Sequence, residues 1–150
     1  MANRKSIDEI VLSASGVLVI GMGGGGDIIQ GIPVANWVRL LGARRVYLAG
    51  VACQWWPFDV PSPHTMVLAP TVYPVKELVP AEKVVPGVAR LGPESTYRGR
   101  RPAEAAVAEV LGESTLVFDL LGGGRGLHRS LEEPAGRLGV DLVVGVDAGS

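Results

Sequence analysis

A single cysteine, Cys53, is all the thiol chemistry in this chain. No disulfide can form within it, which excludes a cross-linked secreted scaffold. No apolar run approaches the roughly 18 residues that a membrane span requires. Met1-Ala2-Asn3-Arg4-Lys5 leads into Asp8 and Glu9 rather than into the apolar core of a signal peptide. Charge of one sign is also missing: 14 Lys and Arg stand against 15 Asp and Glu, for a net charge of −1 with no basic run. That removes the electrostatic footprint of a nucleic-acid binder. The expectation is a cytoplasmic protein that engages neither membrane nor nucleic acid.

Glycine, in contrast, is abundant and concentrated. Val17-Leu18-Val19-Ile20 feeds Gly21-Met22-Gly23-Gly24-Gly25-Gly26-Asp27, and a second turn, Gly122-Gly123-Gly124-Arg125-Gly126, follows the apolar run Thr115 to Leu121. A glycine turn between a strand and a helix lets a ligand approach the backbone and tolerates φ > 0. It also gathers N–H groups at a helix N-terminus, the usual setting for an anion such as phosphate.

At 150 residues there is room for one domain with a real core. Ser6 and Glu9 are spaced as a capping box, with Ile7, Ile10, Val11 and Ala14 on one helical face. Strands are expected at 17–20, 46–51, 115–121 and 141–146. Between them, helical spacing recurs after Asp27, after Pro102 and after Gly126. Pro33 leaves two starts open for the helix after Asp27: one near Ile32, or one at Asp27 that the proline kinks. Eight prolines break up an excursion over about 53–101, where Met66 to Ala69 and Val84 to Leu91 read as short or edge strands. The alternation predicts a single α/β domain over 1–150, with a mainly parallel sheet and helices on both faces. The four strands should be parallel, and 141–146, apolar throughout, should be central or next to central. Ligands of such sheets bind at the carboxyl ends of the strands, where both glycine turns fall.

Two further absences narrow the chemistry. Gly21, Gly23 and Gly26 match G-x-G-x-x-G, but no acid lies between Asp27 and Asp59 to hold a ribose. An NAD-dependent oxidoreductase is therefore only the third reading. Gly-Lys-Ser/Thr is missing altogether, which excludes a Walker-type loop. Asp27 reads either as an N-cap or as a cap that also contacts ligand or metal. A bare carboxylate repels phosphate unless a hard cation such as Mg²⁺ intervenes, or the ligand offers hydroxyls or an amine. Asp27, Asp119 and Asp147, if they converge, would suit Mg²⁺, with Asp27 and Asp147 the expected ligands.

Arg125 is the candidate charge partner for an anion, against a plain solvated arginine. His64 and His128 have no second ligand at metal spacing and read as surface or packing residues. Cys53 reads as a buried thiol before a nucleophile. Trp55 and Trp56 read as packing under the excursion before stacking on a base or sugar.

The turn Ile20-Gly21-Met22-Gly23-Gly24-Gly25-Gly26-Asp27, together with Val144-Gly145-Val146-Asp147-Ala148-Gly149, resembles the uncharacterised, largely archaeal domain-of-unknown-function family 1152. Members of that family carry a GGGGD turn near the N-terminus and a V-D-x-G-G-D-like stretch near mid-chain. The resemblance covers nearly the whole chain and implies a Rossmann-like α/β fold with no established activity. This chain has Asp147-Ala148-Gly149-Ser150 where the family continues with a second glycine and an acid, and members run on for roughly as long again. An N-terminal portion or a shortened relative is the expectation.

The leading reading is therefore a phosphate-bearing or similarly anionic small molecule, a nucleotide among them, held by Gly23, Gly24, Gly25, Gly26, Asp27, Gly123, Gly124 and Arg125, with or without Mg²⁺. A non-catalytic ligand-sensing or oligomerisation module, its glycines serving tight packing, is the rival. Homo-oligomer formation is expected on either reading, from apolar surface beside strand 141–146.

Overall fold

Strand β1 (Val17–Gly21) is buried along its whole length and sets the sheet. Its side chains alternate between two cores. Val17 and Val19 face a core shared with helices α1 (Ile7–Ser13), α2 (Gly26–Leu40) and α3 (Ala103–Leu111). Leu18 and Ile20 face a second core, covered by Leu127, Leu131, Ala135 and Leu138 of α4 (Gly123–Leu138). Helices thus cover both faces. The computed structural model describes residues 4–59 and 66–148, with only the backbone described at 57–59 and 66–69.

On one side of β1 lies β2 (Val46–Val51), with β9 (Thr115–Phe118) beyond it; on the other lies β10 (Leu142–Val146). All three pairings are parallel, as expected. The excursion supplies the rest of the sheet. β6 (Glu82–Val85) and β7 (Val88–Leu91) form a hairpin around Pro86-Gly87, and β7 joins β9 antiparallel. Val84 to Leu91 is therefore two strands rather than one. Gly87 has φ +78°, which suits glycine after a proline in a tight turn. The sheet is mixed, six strands in the order β10-β1-β2-β9-β7-β6.

Two small ribbons complete the excursion. β3 (Cys53–Asp59) pairs with β4 (Met66–Val72), and β5 (Leu78–Val79) with β8 (Thr96–Tyr97), both antiparallel. Pro57 and Pro70 sit inside β3 and β4. Each strand of a two-stranded ribbon has a free edge, where a missing N–H costs little.

Two expectations need correction, and one open alternative is settled. β10 is an edge strand, not a central one, and its residues alternate between half-buried and exposed, with Val143 43% exposed. An all-apolar strand looks the same in sequence at an edge or at the centre. The strand expected over 115–121 ends at Phe118, because the Asp119 carboxylate takes the N–H of Leu121 at 2.7 Å and turns the chain. As for Pro33, α2 begins at Gly26 and runs through it to Leu40. The N–H that proline lacks would have reached the carbonyl of Ile29, which lies on an exposed part of the helix.

Candidate functional site

The chain winds from β1 through β2 to β9 on one side, then returns past β1 to lay β10 on the other. The winding reverses between β1 and β10, and the crevice at the carboxyl ends of two such strands is where α/β sheets bind ligands. Residues 21–27 leave β1 at this point, and Asp147 leaves β10 beside them. The N–H of Met22 donates to the Val146 carbonyl at 2.9 Å, so the two exits are tied together.

The first glycine turn is a packed object. Gly21 lies against the backbone of Asp27 and Ile28, where a Cβ would come within 2.5 Å of the Ile28 nitrogen. A Cβ on Gly23 would meet the Asp27 carboxylate at 2.5 Å, one on Gly24 the Trp55 ring, and one on Gly25 the Gln54 side chain. None of these glycines has positive φ; that role falls in the second turn, at Gly123 with φ +61°. Gly26 differs from its neighbours, because nothing lies within 4 Å of where its Cβ would be.

Most of the turn's amides are used internally. Gly23 donates to Asp27 Oδ2 at 2.7 Å, Gly25 to the Cys53 carbonyl at 3.1 Å, and Asp27 to the Gly24 carbonyl at 3.2 Å. The N–H groups of Gly24 and Gly26 have no acceptor among the described residues. Gly25, not Asp27, is the N-cap of α2. Asp27 stands in the first helical turn, buried, and one of its oxygens fastens the loop backward through Gly23. Its other oxygen takes no hydrogen bond from any described residue.

The expected convergence of Asp27, Asp119 and Asp147 is not found. Among the described residues no three His, Cys, Asp or Glu side chains come together as a metal site. Asp119 is occupied by backbone, accepting from Val75 N–H at 3.1 Å and from Leu121. The second glycine turn shares the rim, but β2 separates β9 from β1, a lateral distance of roughly 10 Å at ordinary strand spacing. Gly123, Gly124 and Arg125 are exposed there. His128 is also exposed, 3.4 Å from Glu132 one helical turn on. His64, Gly149 and Ser150 lie outside the described residues.

Behind the first turn lies a polar cluster that the sequence did not announce. Glu104, in the first turn of α3, is 1% exposed. Gln54 Nε2 donates to its Oε2 at 3.0 Å, while Gln54 Oε1 accepts the Ala103 N–H at 3.3 Å. Gly50 leaves room for the carboxyl: a Cβ there would run into Glu104 Oε1. Burial pushes the Glu104 carboxyl up to about 8, which favours its protonated form near neutral pH. Burial, and then the Glu104 charge, raise the Cys53 thiol and the Tyr73 phenol as well. Cys53 is half-buried, and the burial that raises its thiol disfavours the thiolate a nucleophile needs.

The two tryptophans part company. Trp56 stacks on Tyr73 and Tyr97 with ring centroids 5.5 and 6.0 Å away, whereas Trp55 is 55% exposed and covers Gly24. Only glutamate burial against Gly50, a three-dimensional fact, distinguishes Glu104 from the other acids of the chain.

The fold and this rim define an α/β protein with a glycine-rich strand-to-helix loop where its sheet reverses direction. The chain belongs to the DUF1152 family of proteins of unknown function, whose family model matches residues 18–150. No curated protein and no solved structure matches it.

Proposed function

We propose that this protein binds a phosphate-bearing or similarly anionic small molecule at the exit of β1, in a Rossmann-like manner. The observation that supports this most is the pair of unpartnered amides, Gly24 and Gly26, at the N-terminus of α2 and at the reversal point of the sheet. Asp27 offers its unengaged oxygen to a ligand hydroxyl or to a Mg²⁺ ion that Asp147 would share, which offsets the repulsion between carboxylate and phosphate. Arg125 contributes long-range charge rather than a direct contact. Gly26 gives the cleanest test, since its Cβ position is open. Gly26→Val should abolish pyrophosphate binding, read by calorimetry with and without Mg²⁺, while the melting temperature holds. Unchanged binding would sink this reading.

A second reading has its own support. Asp27, Trp55 and Gln54 fill the space beside Gly23, Gly24 and Gly25, as a turn kept glycine-rich for close packing would require. On that reading the chain is a non-catalytic sensing or assembly module, with the open edge of β10 as its pairing surface. Light scattering that finds a dimer, together with no response to pyrophosphate, would favour it.

A further inference from the structure

Away from the glycine turn, a cleft of about 340 Å³ is lined by Trp56, Thr71, Tyr97, Arg98 and Arg100. Its cations are delivered by a two-residue hairpin. Tyr97 and Arg100 exchange backbone hydrogen bonds at 2.8 and 2.9 Å, and the corner residues Arg98 and Gly99 have φ of +48° and +75°. A positive φ at both corners is the geometry that fits the twist of a tight hairpin, and arginine occupies it at some cost. The Arg98 guanidinium lies 5.1 Å from the centre of the Tyr97 ring and pairs with Glu77 at 3.1 Å. Arg100 lies 5.8 Å from the Trp56 ring and has no carboxylate partner among the described residues. Among the described residues, then, the Arg100 charge has no carboxylate to balance it. The Trp56 and Tyr97 planes are within 2° of parallel. The Thr71 hydroxyl is buried with no hydrogen-bond partner among the described residues, and Thr71 lines the same cleft.

We infer that this cleft is a second binding site, independent of the glycine turn, for a mononucleotide. Tyr73 and Tyr97 are buried, and the part of Trp56 that stays exposed takes a base by stacking. The Arg100 guanidinium, with no carboxylate partner among the described residues, takes a phosphate through paired N–H donors. Ligand cavities run from roughly 300 to 1,000 Å³, so this one suits a single ring system with its phosphate rather than a dinucleotide.

The test is titration of the ¹⁵N-labelled chain with AMP, adenosine, inorganic phosphate and a single-stranded oligonucleotide, each to about 5 mM. The signals read are the Trp56 indole and the Arg98 to Arg100 amides. AMP should shift them saturably, with adenosine and phosphate each at least about tenfold weaker. Arg100→Ala should weaken AMP at least about tenfold with the melting temperature unchanged, since that side chain is exposed. Gly26→Val should leave AMP binding here intact. No shift with AMP, or equal binding by Arg100→Ala, would overturn the inference. So would tighter, steeply salt-dependent binding of the oligonucleotide, which would mark a nucleic-acid surface. Shifts confined to Gly24 and Gly26 would overturn this site and leave the glycine turn standing.

Discussion

Glu104 illustrates at the residue scale how burial sets chemistry. Its carboxyl titrates near 8 in the folded chain and near the ordinary 4.5 when unfolded. Between those values the folded state holds a proton that the unfolded state has released. Stability from this group is therefore complete below about 4.5 and is lost as pH rises towards 8. The loss should be on the order of a few kcal/mol. Denaturant melts from pH 5 to 8.5 should show this slope in the wild type, and Glu104→Gln, uncharged throughout, should flatten it. A slope that survives the substitution would move the titration elsewhere.

The glycines of the first turn also separate at this scale. Gly24→Val and Gly25→Val press on Trp55 and Gln54, so both should destabilise, by roughly 1–3 kcal/mol. Loss of binding in those variants would then say little about a ligand. The Cβ that Gly26→Val adds has open space, and the variant should stay within about 1 kcal/mol of wild type. Chemical denaturation of the three variants checks the ranking. Sequence alone could not divide the four glycines, because the division depends on which side chains of β3 fold back over them.

Local chemistry governs what was readable at the scale of elements. The capping box at Ser6 and Glu9 is present in both directions, with N–H to side-chain bonds of 2.7 and 3.2 Å. Gly112, the anticipated stop of α3, has φ +65° as its C-cap. Gly112→Ala should cost about 1 kcal/mol, read in the same melts, because a Cβ is strained in that conformation. The excursion was opaque for an equally local reason. Proline forbids most regular structure, and a ribbon with free edges on both strands is the exception that composition does not reveal. The turn at Pro86-Gly87, which splits Val84 to Leu91 into two strands, was not read from the sequence, and neither was the partner of β7, since pairing with β9 joins residues far apart in sequence.

Across the whole molecule, alternating strands and helices were enough for the parallel core of β10, β1, β2 and β9 and for helices on both faces. The order of those strands was not legible. Placing β10 at the edge opens its backbone to pairing, and Val143 to solvent. The same order puts the reversal point beside the first glycine turn and sets the second turn two strands away. The start of the first glycine turn is thereby tied to the exit of β10 through Met22, and Arg125 is kept apart. Of the candidate site, then, the turn at 23–27 was correctly located in the sequence as the exit of β1. Its internal packing, the buried Glu104 behind it and the separation of the two turns all depend on tertiary contacts.

Anion capture at the first turn is most directly tested at the two amides that lack partners. Inorganic pyrophosphate, with and without Mg²⁺, is titrated into ¹⁵N-labelled protein while every backbone amide is followed. Anion capture predicts saturable shifts at Gly24 and Gly26 that disappear in Gly26→Val, with the rest of the spectrum unchanged. Saturation with those two amides unmoved, or no response at about 10 mM, would contradict it and leave the turn as a packing device.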